Sequence, residues 1–202
     1  MPVSLAVGTV AVVAGSALAA FGWHRWRTRT RRALARDLEA ALAEAMAPGT
    51  GSHLEAPPSI RRLVVVDNGN GEQPVYVPIV RIDLETTDAP GTKLVLEYVA
   101  EALEAIHPVL EGRADRVAHY DVEFSFGPDG LFVEGECRRV SVPPALADRL
   151  LEDDRYGAFE LWRDVKRGDR DDATPTTLWG ACRSASRLSR ARASTDEASR
   201  SE

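Results

Sequence analysis

Between Val3 and Trp23 lie 21 residues without a charge, and only behind them do charged positions begin to interrupt the apolar ones. At 1.5 Å per residue a helix of that length spans about 31 Å, the thickness of a bilayer's hydrocarbon core, so the pattern predicts one N-terminal transmembrane helix. Leu34, Leu38, Leu42 and Met46 then recur at every fourth residue until Pro48-Gly49 breaks the pattern. That is the stripe of an amphipathic helix. It can zip to a partner helix or pack on the domain that follows, and the pattern leaves both open.

Past a Pro- and Gly-rich linker at 48–60, the period changes from four to two. Arg62–Asp67 reads as a short buried strand. The turn-rich Asn68-Gly69-Asn70-Gly71 joins it to Val75–Thr86, where Val80, Ile82 and Leu84 alternate with Arg81, Asp83 and Glu85. Pro78 points to an edge position or a bulge. Leu94, Val95, Tyr98, Val99, Ala102, Leu103, Ile106 and Leu110 predict an amphipathic helix with Thr92 as N-cap and Pro108 kinking or ending it. Val117–Phe126 alternates again, Gly127-Pro128-Asp129-Gly130 is a turn, and Leu131–Val142 is the returning strand. Pro143-Pro144 opens a short helix, and Tyr156–Val165 is read as another. The expected fold is therefore α+β: a transmembrane helix, then a small ββαββα-like domain with a mostly antiparallel four-stranded sheet, helices on one face and a solvated polar face opposite. The expected organisation is an anchor at 1–23, a basic juxtamembrane segment and helix at 24–47, the linker, an acidic domain at 61–182 and a disordered tail at 183–202.

Charge sets the expected address. Arg25, Arg27, Arg29, Arg31, Arg32 and Arg36 follow the uncharged run with no acid among them, while Met1–Ser4 hold no positive charge. A cleaved secretory signal carries its charge before the apolar segment, so the order favours a retained anchor. The positive-inside rule then predicts a single-pass cell-membrane protein, N-terminus outside and domain cytoplasmic. Trp23, Arg25, Trp26, Arg27, Arg29, Arg31 and Arg32 are the expected interface residues. Gly8, Gly15 and Gly22 line one stripe of the span and would permit a homo-oligomer through the anchor. Residues 37–182 carry 28 acidic against 14 basic side chains, which argues against a nucleic-acid partner. With only two lysines among 25 basic residues, the composition resembles that of proteins from salt-accumulating archaea. Cys137 and Cys182 form no CxxC, predicting neither a disulfide framework nor a zinc site, and reduced thiols fit the cytoplasm.

Candidate chemistry is sparse. Asp67–Glu72 resembles a calcium loop only until its third position, a glycine where an oxygen ligand is needed. A tight second hairpin would pair Phe126 with Leu131, Glu123 with Glu134, Asp121 with Glu136 and His119 with Arg138, bringing Asp121, Glu123, Glu134 and Glu136 together as candidate metal ligands. The plainer reading is a solvated face. No catalytic motif is present, and no cofactor is expected. The leading expectation is a membrane-anchored, non-enzymatic protein-interaction module with an unidentified protein partner, the alternative a metal-dependent enzyme using the carboxylate cluster.

Overall fold

The computed structural model describes residues 29–49, 53–66, 74–127, 135–171 and 175–182. The run at 3–23, with Trp23, Arg25, Trp26 and Arg27, lies outside them, as do residues 67–73 and 128–134, where turns are expected, and those from 183. Among the described residues no helix is long and apolar enough to cross a membrane. The transmembrane helix of the expected fold is therefore not part of the architecture seen.

The first described helix, α1, covers 29–45. Its fourfold stripe resolves the choice left open above. Leu34, Leu38, Leu42 and Met46 are at most 2% exposed and join the domain's own core. Arg29, Arg31 and Arg32 lie outside that stripe on the same helix. Arg113 binds Asp37 at 3.0 Å, and the Tyr98 hydroxyl accepts the His53 N–H, tying α1 and the segment after it to the next helix.

The order continues β1 (Ser59–Val66), β2 (Val75–Asp83), α2 (Thr92–Gly112), β3 (Arg116–Val117), β4 (Tyr120–Phe126), β5 (Glu136–Val142), α3 (Pro144–Glu152), α4 (Ala158–Gly168) and β6 (Thr177–Ala181). The sheet has six strands in the order β1-β2-β4-β5-β6, with β3 beside β2. It is mixed, which corrects the four-stranded antiparallel expectation: β2 runs parallel to β3 and β4. A hairpin cannot contain the 21 residues of α2, and a crossover helix returns the chain parallel. The sixth strand, Thr177–Ala181, was not anticipated.

The edge position expected from Pro78 needed correction too. β2 is an interior strand, yet it holds Pro78 opposite Leu63 of β1. Its missing N–H falls where the neighbouring line breaks between Val117 and Tyr120, so little ladder hydrogen bonding is lost. Pro108 does not end α2, which runs on to Gly112 with Leu110 buried. The residue preceding α2 is Gly91, with no side-chain cap, and Thr92 is already helical.

Tyr76, Val80, Ile82 and Leu84 share one core with Tyr120, Val122, Phe124 and Phe126 and with the apolar stripes of all four helices. The second hairpin differs from expectation by five residues. Phe126 pairs with Glu136, Glu123 with Arg139 and Asp121 with Ser141. An odd shift exchanges the faces of a strand, so Glu136 falls on the side of Val140 and Val142 while Arg139 and Ser141 join Asp121 and Glu123. The opposite sheet face is not solvated: Val77, Ile79, Asp121, Glu123 and Ser141 are each at most 3% exposed.

Candidate functional site

Neighbouring arginines make burial of the two β4 carboxylates tolerable. Arg61 sits at a bulge between Ile60 and Arg62, an extra residue that re-aims its side chain. From there it donates to Glu123 Oε2. Arg139 donates to Asp121 Oδ2 at 3.1 Å, and the Ser141 hydroxyl to Oδ1 at 2.5 Å. Burial opposes ionisation of Asp121, but His119, Arg139 and the Ser141 hydroxyl outweigh it and bring the carboxyl down to about 2. The His119 ring nitrogen stands 3.6 Å away, too far for a hydrogen bond, so its effect is electrostatic.

Of the four candidate metal ligands, Asp121 and Glu123 share one sheet face and Glu136 falls on the other. Asp121 and Glu123 are each held by an arginine, Glu136 is exposed and bound to Arg138 at 3.3 Å, and Glu134 lies outside the described residues. A different neighbour stands beside Glu123. Cys137 and Cys182 form a disulfide, with Cα atoms 5.6 Å apart, correcting the expectation of reduced thiols. Sequence spacing hid this, because the bond links β5 to the end of β6 across 45 residues. The signal available was Thr177–Ala181, a β-prone run ending at a cysteine.

His107 is likewise a joint between elements. Its Nε2 bonds Asp148 of α3 at 2.7 Å and its Nδ1 meets the Tyr120 hydroxyl at 2.5 Å. A carboxylate only accepts, so Nε2 donates to Asp148, and in the tautomer with its proton there Nδ1 accepts the Tyr120 O–H. Burial and the nearby carboxylates of Asp148 and Glu111 push the Tyr120 pKa far up, keeping that hydroxyl a donor.

On the helical side, α2, α4 and β6 enclose a groove of about 310 Å³. Its walls include Pro90, Val95, Leu96, Trp162, Leu178 and Trp179, with Thr92 and Lys166 supplying polar atoms. Trp179 stacks on Phe126 at 6.1 Å, which fixes one wall to the core. Trp162 carries Lys166 over one ring face at 4.6 Å and packs against Phe159 at 5.7 Å. Phe159 is 65% exposed, the most exposed large apolar side chain described. The uncapped start of α2 at Gly91 and Thr92 adds the positive end of a helix dipole. No protein-family model, curated protein or solved structure matches the chain. Function must come from this geometry.

Sequence reading missed the groove because its walls come from three separated segments. Phe159 and Trp162 were legible only as part of an apolar helix.

Proposed function

We propose that the domain is a non-enzymatic binding module that holds an acidic segment of a partner protein, an apolar residue of that segment entering the Trp162–Trp179 groove. The observation that carries the reading is the exposed Phe159 at the rim of an aromatic groove with Lys166 beside it. Aromatic side chains are among the residue types enriched at protein interfaces. Lys166 puts a cation in the lining of this groove on a domain that is otherwise strongly acidic. Charge complementarity therefore selects carboxylate-bearing partners. The enzyme alternative is less favoured by the described carboxylates, since Asp121 and Glu123 are each held by an arginine and Glu136 falls on the other side of the sheet. Membrane attachment through 3–23, with the domain cytoplasmic, is the second part of the proposal and rests on charge distribution alone.

The test is panning of random dodecapeptides on the immobilised full-length chain. Acidic sequences with an apolar anchor should be enriched, and Trp162→Ala and Lys166→Glu should each abolish their binding. Recovery of sequences indifferent to both substitutions would refute the assignment.

A further inference from the structure

The polar sheet face holds a group that peptide binding does not use. A carboxylate oxygen of Glu123 and the sulfurs of Cys137 and Cys182 all lie within 4.8 Å of one another. Glu123 is fully buried, and while Arg61 occupies Oε2, Oε1 has no hydrogen-bond partner. A buried oxygen left unpaired is costly, and a ligand bound there would remove the cost. Arg81 Nη1 stands 3.5 Å from Cys137 Sγ, where its charge favours a thiolate once the bond opens.

We infer that Cys137, Cys182 and Glu123 become a three-ligand zinc site when the disulfide is reduced. An external dithiol supplies two electrons and two protons and closes to its own disulfide, while the Sγ–Sγ bond breaks to give two thiols. Zinc then displaces both thiol protons to solvent, forms two Zn–S bonds and one bond to Glu123, and keeps a water as fourth ligand. At about 2.3 Å per Zn–S bond a tetrahedral ion holds the sulfurs about 3.8 Å apart. Cα atoms separated by 5.6 Å permit that through side-chain rotation, with β5 and β6 still paired at Arg138 and Ala181. The edge strand β6 thus keeps a link to the sheet in either redox state, covalent when oxidised and metal-mediated in a reducing compartment, where disulfides seldom persist.

The experiment compares full-length chain, oxidised or reduced with a phosphine, titrated with Co(II) and then Zn(II). Reduced chain should show thiolate-to-cobalt charge-transfer absorption that zinc abolishes, and oxidised chain should show none. Glu123→Gln should keep a native far-UV spectrum and bind at least about tenfold more weakly. No absorption on reduction, or undiminished affinity in a folded Glu123→Gln chain, would overturn the inference. Should that variant fail to fold, Cys182→Ser in the reduced chain replaces it, and unchanged cobalt absorption there refutes the site equally.

Discussion

Replacing Asp121 by Asn removes one charge from the buried face and almost no volume. The parent carboxyl is brought from its ordinary 3.8 to about 2, which at about 1.4 kcal/mol per pKa unit amounts to about 2 kcal/mol of stability. Because the folded value is the lower one, that stability is present above about pH 4 and drains away as pH falls through about 2. The variant lacks it at every pH. It also leaves the charge of Arg139, 8% exposed, without a counter-charge at Asp121, and breaking a buried pair costs about 3–5 kcal/mol. Urea denaturation of parent and Asp121→Asn at pH 7 should therefore differ by about 3 kcal/mol or more. At pH 2 the gap should shrink by about 2 kcal/mol, since with the parent's Asp121 half protonated only about RT ln 2, about 0.4 kcal/mol, of that stability remains. Other carboxylates titrate alike in both chains and cancel. A gap that is absent at pH 7, or the same at both pH values, would refute the assignment of Asp121 as a paired, ionised core group.

Three further outcomes follow from the packing. Leu38→Ala should destabilise the isolated chain by about 2–5 kcal/mol in denaturant titration, whereas a stripe reserved for a partner helix predicts no change. Ala114, just past α2, has φ 53°, and Ala114→Gly should raise stability by about 1 kcal/mol in the same assay, with no gain if the residue is unstrained. Reducing the disulfide in the presence of a chelator releases a 45-residue loop and should lower unfolding free energy by about 4 kcal/mol by the chain-entropy relation; an unchanged urea midpoint would deny the bond a structural role.

How far the chain could be read depended on the range of the interactions. Local periodicity located the first hairpin, α2 and the helix at Ala158–Gly168, because each is specified by residues three or four apart or by strict alternation. Register was another matter. A Gly127–Gly130 turn fits the local chemistry, yet Phe126 pairs with Glu136, and that offset turned expected carboxylate pairs into Glu123 with Arg139 and Asp121 with Ser141. Arginine partners distant in sequence, Arg61 for Glu123 above all, left no periodic trace. The parallel pairing of β2 and β4 was available from the long helix between them and was misassigned. The groove and the Cys137–Cys182 contact depend on where β6 docks, which no local pattern states.

The groove is tested most directly by the indole N–H resonances of Trp162 and Trp179 in a proton–nitrogen correlation spectrum of the full-length chain. A synthetic dodecapeptide of aspartate and glutamate around a central leucine is titrated in, and a lysine-substituted copy serves as control. The account predicts that both indole signals move in a saturable manner with the acidic peptide. They should stay in place with the basic one, and the response should vanish in Phe159→Ser, whose stability should match the parent within about 0.5 kcal/mol. Stationary indole signals, or equal shifts from both peptides, would contradict it.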